Sequence, residues 1–224
     1  MKSLSEVTSA STEAYETALK KFADLLGDSH KLKGAYPGYA FDSLPALYKA
    51  PVLQALQEWV EFFSMNAAPA KSVSDKQLLW RFLGAFRLKP DGDFFSKIDD
   101  ETCLEVINRA GLQTFRSLSF MSVCSYTLDE VISVPWPNLY RRDGDITRDY
   151  IQLQATITDG TLTHTDLPGL IREHEVVEIS GFDQLATTLK PMYLSPVYDV
   201  TGAVVGAIHA FKILKCESLN PAQG

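Results

Sequence analysis

The sequence predicts an α+β chain, a helical N-terminal region followed by an antiparallel sheet crossed by short helices. Three observations carry this. Apolar residues recur at helical spacing as far as Phe86. Two β-rich stretches each close on a turn with Asn or Asp first and Gly fourth, Asn108-Arg-Ala-Gly111 and Asp199-Val-Thr-Gly202. In the last arm, Val205, Ala207, His209, Phe211 and Ile213 share one face of a strand, and Val204, Gly206, Ile208, Ala210 and Lys212 the other. Both faces are largely apolar, which predicts a central strand covered on both sides.

The N-terminal elements come first. Tyr15, Ala18, Phe22 and Leu25 follow a 4-3 rhythm within a helix over residues 4 to 26, with Leu4 and Val7 before them and Gly27 as C-cap. The residues from 28 to 41, with Gly34, Pro37 and Gly38, read as loop. A second helix is expected from Pro51 to Met65, striped by Leu53, Leu56, Val60 and Phe63. A third starts at Ser74, with Gln77 completing a capping box and Leu78, Leu79, Phe82, Leu83 and Phe86 as its stripe. Such faces bury themselves against each other, the C-terminal region or a second subunit, and Tyr15, Ala18, Phe22 and Leu25 are the candidate homodimer seam. Lys89-Pro-Asp-Gly-Asp93 breaks the pattern. The expected organisation is therefore a helical region over 1–92, a sheet domain over 98–216 and a polar tail over 217–224.

In the second region, Cys103–Ile107 and Leu112–Ser117 read as strands flanking the Asn108 turn. A helix fits Ser119 to Ser125, and Thr127-Leu-Asp-Glu130 is a capping box for another, stopped by Pro135 and Pro137 around Trp136. Asp145 to Thr156 forms a helix with Ile146, Tyr150 and Leu153 on one side, and Glu175–Ile179 is a further strand. Gly181 to Lys190 has no clear pattern.

Composition narrows function. The chain has 224 residues, 46% hydrophobic, with a net charge of −7. It has no basic run, which argues against nucleic acid, and no uncharged apolar stretch of membrane-spanning length, which argues against membrane insertion. The N-terminus lacks the apolar core of a signal peptide. Cys103, Cys124 and Cys216 are an odd set without CxxC, as in a cytoplasmic protein with reduced thiols.

The order of these motifs resembles the PAS family. A PAS domain opens with two strands around a D/N-x-x-G turn, here Asn108-Arg-Ala-Gly111. A motif containing Gly-Tyr, a pair of acidic residues and an aromatic follows, here Ser125-Tyr-Thr-Leu-Asp-Glu-Val-Ile132 with Trp136 and Tyr140; Ser125 replaces the usual Gly. It closes with a motif similar to Ser195-Pro-Val-Tyr-Asp-Val-Thr-Gly-Ala-Val-Val-Gly206. The resemblance covers about residues 100 to 215. It implies a five-stranded antiparallel sheet, helices over one face, a small pocket between them, and flanking helices that dimerise and carry a signal.

Phosphate-loop, dinucleotide and nucleophile-elbow motifs are absent from the sequence. His30, His164, His174 and His209 show no metal-ligand spacing, and Asp99-Asp100-Glu101 reads as a solvated cluster. The cysteine motif of flavin-binding PAS proteins is missing, haem is not supported, and the cofactor is left unknown. The candidate ligand pocket comprises Phe115, Trp136, Tyr140, Tyr150, His209 and Phe211. His209 is either a ligand-contacting residue or a core histidine bonded to a neighbour. The expected function is a PAS-type sensory protein, not an enzyme, that binds a small ligand or a separate output protein and signals through its helices and dimer interface. The alternatives are a ligand-free dimerisation or scaffold module, and a small-molecule enzyme using His209 as base.

Overall fold

The computed structural model describes residues 4–27, 37–70, 73–179 and 184–219, with side chains at all of these except 4–11 and 67–70. In chain order the helices are α1 (Leu4–Leu26), α2 (Tyr39–Asp42), α3 (Ala46–Ala70), α4 (Asp75–Ala85), α5 (Leu118–Val123), α6 (Leu128–Ser133), α7 (Trp136–Leu139) and α8 (Gly144–Thr158). The strands are β1 (Lys89–Pro90), β2 (Cys103–Asn108), β3 (Gln113–Arg116), β4 (Tyr140–Arg141), β5 (Thr165–Asp166), β6 (His174–Glu178), β7 (Leu185–Tyr198) and β8 (Val204–Ser218). The fold is thus mixed helix and antiparallel sheet.

The chain divides into a helical unit, Met1–Ser72 with Tyr126–Leu139, and a sheet unit, Val73–Ser125 with Tyr140–Gly224. This division differs from a boundary at Lys89–Asp93. Residues 73 to 92 belong with the sheet, and the chain leaves the sheet unit after Ser125 and returns to it at Tyr140.

In the helical unit, α1 stops at Gly27, whose N–H still reaches the Ala23 carbonyl at 2.9 Å while its positive φ of 70° turns the chain out of the helix. Tyr15, Ala18 and Phe22 are buried. Tyr15 lies flat on Phe41 with ring centres 4.0 Å apart, and Phe22 meets Trp59 and Phe63 edge-on. The stripe offered as a dimer seam is therefore covered by the chain's own side chains. Leu25 is half-buried, and the side chains of Leu4 and Val7 lie outside the described residues. Two local expectations are corrected. The stretch taken as loop contains α2, and α3 begins at Ala46, ahead of Pro51. Pro51 therefore sits in the second turn, where it has no N–H to offer the Leu47 carbonyl. Both halves of the Thr127–Glu130 capping box form. The helix after the capping box stops at Ser133, ahead of Pro135, as expected; Pro137 sits in the first turn of a further short helix, α7, where proline is tolerated.

Among the described residues the sheet unit holds eight strands, not five; β1, β4 and β5 contribute two residues each. The order is β3-β2-β8-β7-β6-β4, and every pairing is antiparallel. β8 is central, between β2 and β7. β7 gives its other edge in succession to β6, β5 and β1. Register shifts at Thr188/Leu189, Pro191/Tyr193 and Val197/Tyr198 interrupt the β7–β8 ladder, and such shifts bend and twist the strands that carry them. The unpatterned stretch near Gly181 to Lys190 supplies the first half of β7 from Leu185; residues 180–183 lie outside the described residues.

Register assigns the two faces. Leu104, Val106, Phe115, Ile208 and Ala210 pair across strands on one face. There the Phe115 ring lies 5.0 Å from Phe82, on the apolar side of α4. Cys103, Glu105, Arg116, His209 and Phe211 share the other face. On that side Phe120 of α5 meets Phe211 at 5.5 Å and Tyr150 of α8 meets His209 at 5.7 Å. The sheet is thus covered by helices on both faces rather than one.

Gly206 on β8 pairs with Asn108 on β2, with no room for a side chain between them. A Cβ there would stand 2.4 Å from the Ile107 carbonyl oxygen. That neighbour is ladder backbone and cannot step aside. Gly206→Ala is expected to cost about 2–3 kcal/mol, read as a lower urea midpoint. A loss below about 0.5 kcal/mol, an ordinary surface effect, would show that the strands have room.

Candidate functional site

A polar row crosses the face beneath α5 and α8. Arg116 on β3, Glu105 on β2 and His209 on β8 stand opposite one another in register. All three are buried, Arg116 to 1% exposure. Arg116 Nη2 donates to Glu105 Oε1 at 2.9 Å, and its guanidinium carbon lies 4.7 Å over the Phe120 ring. Gln113 joins the row because the ladder shifts between Val106 and Ile107. Thr114 is the extra residue, so Gln113 opposite Ile107 and Arg116 opposite Glu105 face the same way.

Buried polar groups nearly always find partners. Here several do not. Arg116 Nε and Nη1 and both amide atoms of Gln113 are shielded from solvent and make no hydrogen bond within the protein. His174 on β6 is similar. Its Nδ1 lies 2.9 Å from the Arg172 carbonyl, which only accepts, so Nδ1 carries the proton and Nε2 presents a lone pair; that atom is buried without a partner.

Aromatic rings link these groups. Tyr150 stacks on His209 with 16° between planes and meets His174 edge-on at 6.0 Å. Phe120 stands edge-on to Tyr140 at 6.1 Å, and the Arg142 guanidinium lies 5.9 Å from the Tyr140 ring. Burial sets the protonation states. It pushes His209 down to about 4, against the opposing pull of the Glu105 charge. It lowers His174, whose hydrogen bond to Arg172 works the other way. It raises the Tyr140 and Tyr150 phenols, and it lowers Arg142, which Glu105 supports. At neutral pH both imidazoles are neutral. Glu105 is then the one carboxylate paired with Arg116, while Arg142 adds a second positive charge. Glu178, also near Tyr140, is taken up elsewhere: it accepts from the N–H of Ser125 at 2.8 Å, the N–H of Leu185 at 3.0 Å and the Ser125 hydroxyl.

His209 gives a pH signature. Its folded pKa lies below the usual 6.5, so the neutral ring stabilises the fold above that pH and the contribution is lost as pH falls toward 4. At 1.36 kcal/mol per unit the loss is about 3 kcal/mol. His209→Phe keeps a ring against Tyr150 and is expected to flatten the fall in urea midpoint between pH 6.5 and 4.5. An unchanged slope would assign the effect to other groups.

Of the six pocket candidates, Tyr140, Tyr150, His209 and Phe211 lie in the sheet unit on this side. Phe115 is a correction: its strand position turns it to the opposite face, against Phe82. Trp136 belongs to the helical unit. The residues that sequence reasoning missed are Glu105, Gln113, Arg116, Arg142 and His174. The signal was present in Glu105, a charged residue between Leu104 and Val106 in an otherwise apolar strand. His164 is exposed, with Nδ1 3.2 Å from Asp91. No disulfide links the cysteines, and among the described residues no group of His, Cys, Asp or Glu is arranged to hold a metal. Nor, among the described residues, is any helix long and apolar enough to cross a membrane.

Comparison with known proteins finds no matching family model and no curated protein of significant similarity.

Proposed function

We propose that this chain is a sensory protein of the PAS type that binds a small molecule on the Arg116–Glu105–His209 face and does no chemistry on it. The observation that carries this is the set of buried, unpartnered hydrogen-bonding atoms on Arg116, Gln113 and His174. A purely structural core would fill such positions with apolar residues or satisfy them, because each unpaired group costs about 1–3 kcal/mol. A bound molecule supplies the missing partners. The opening and closing hairpins with their Asn108–Gly111 and Asp199–Gly202 turns support the family reading.

Transmission follows from chain connectivity. α5 carries Phe120, the ring under Arg116, and runs within a few residues into the segment Tyr126–Leu139 of the helical unit. A ligand that prefers one placement of α5 shifts the population of that segment by its differential affinity. The output is a partner protein or a change in self-association. An open groove of about 810 Å³ along α1 and α3, bordered by Glu13, Lys21, Gln57 and Met65, favours a partner on the helical unit.

The test is ligand content. Wild-type protein, denatured and extracted, is expected to release a stoichiometric small molecule. His209→Ala is expected to keep its circular dichroism spectrum and release little. Full retention by a folded His209→Ala would return His209 to core duty.

A further inference from the structure

We infer that the molecule held on this face is a small organic carboxylate, seated against Arg116 and Gln113. This rests on the ligand-binding reading above and names the class of ligand.

Arg116 has only donors. Nη2 is committed to Glu105 at 2.9 Å, while Nε and Nη1 point N–H groups at no protein acceptor. The side chain is 1% exposed, so water does not serve in bulk. What is missing is therefore an acceptor, and an anionic acceptor makes the stronger bond. Gln113, on the same face of the same strand, contributes an amide NH₂ that also lacks an acceptor. Arg142 adds positive charge close enough to be supported by Glu105 and opposed by Arg116. Glu178 is bound by Ser125 and Leu185 and so gives Arg116 no acceptor. The surroundings are aromatic: Phe120 under Arg116, then Phe211 and Tyr140 around Phe120. They suit the apolar body of an organic acid better than a fully hydrated inorganic oxyanion.

The probes are propionate and benzoate, their neutral counterparts propionamide and benzamide, and inorganic phosphate, at matched ionic strength on the full chain. Thermal unfolding and calorimetric titration are the readouts. Propionate or benzoate is expected to raise the unfolding temperature saturably, and the amides and phosphate are not. Gln113→Leu is the informative variant, because it removes an amide that makes no protein hydrogen bond and so spares the fold. It is expected to weaken carboxylate binding about tenfold, the loss of one good hydrogen bond to a charged group. Arg116→Met should abolish binding. Equal stabilisation by phosphate or by the amides, or undiminished carboxylate binding in Gln113→Leu, overturns the assignment. A neutral or cationic molecule extracted from the purified protein would overturn the carboxylate and leave the ligand-binding reading standing. No extracted molecule and no response to any probe would remove both.

Discussion

Asp129→Ala is expected to destabilise the helical unit by about 4 kcal/mol, because it strips the acceptor from a buried junction of three helices. The Asp129 carboxylate is 4% exposed. It accepts from the backbone N–H of Ala40 at 2.7 Å and of Phe41 at 3.2 Å, from the Tyr15 hydroxyl at 2.9 Å and from the Ser133 hydroxyl at 3.2 Å. It thus ties the start of α2 to α1 and α6. Alanine would leave the two N–H groups without an acceptor in a site that water does not reach freely. Thermal unfolding followed by circular dichroism tests this, and a loss below about 1 kcal/mol would show that the donors find other partners. The same group has a pH signature opposite to that of His209. Burial raises its pKa against the pull of its four donors. A raised carboxyl pKa favours folding while protonated, so this contribution is full below the unfolded pKa and is lost as pH rises through the folded one.

The second large effect is expected at Glu105. Glu105→Leu leaves Arg116 buried with no carboxylate opposite it and Arg142 without its supporting charge. Breaking one side of a buried pair costs about 3–5 kcal/mol, whereas removing both sides is often neutral. Glu105→Leu combined with Arg116→Met should therefore recover most of what the single change loses. A double-mutant cycle by urea unfolding measures the coupling. A double variant no more stable than Glu105→Leu would mean that Arg116 is held by groups other than Glu105.

Much of the fold was legible in the sequence because its signals are local. The two Asx-to-glycine turns, the Thr127 capping box, the Ser74 N-cap and the alternation along β8 each depend on a few neighbouring residues. The extra strands β1, β4 and β5 were not legible, since two residues carry no period. Nor was the partner of the Tyr15–Phe22 stripe, because an apolar face announces that it is buried and not against what. The site was half legible. His209 stood out as a polar residue on an apolar face. Its neighbours were hidden by register: Phe115 and Arg116 are adjacent in sequence, and only the pairing of β3 with β2 shows that Arg116 faces His209 while Phe115 turns away. The extra residue at Thr114, which adds Gln113 to the same face, has no mark in the sequence.

The central claim is that a small molecule occupies the polar face of the sheet unit. Native mass spectrometry of the freshly purified protein, with an absorption spectrum beside it, asks this directly. A discrete mass excess over the 24.9 kDa chain is expected, disappearing on mild denaturation and reduced in Gln113→Leu. A clean chain mass, unchanged after incubation with the carboxylate probes, would contradict it and leave the Arg116–Glu105–His209 row as a structural network with unmet hydrogen bonds.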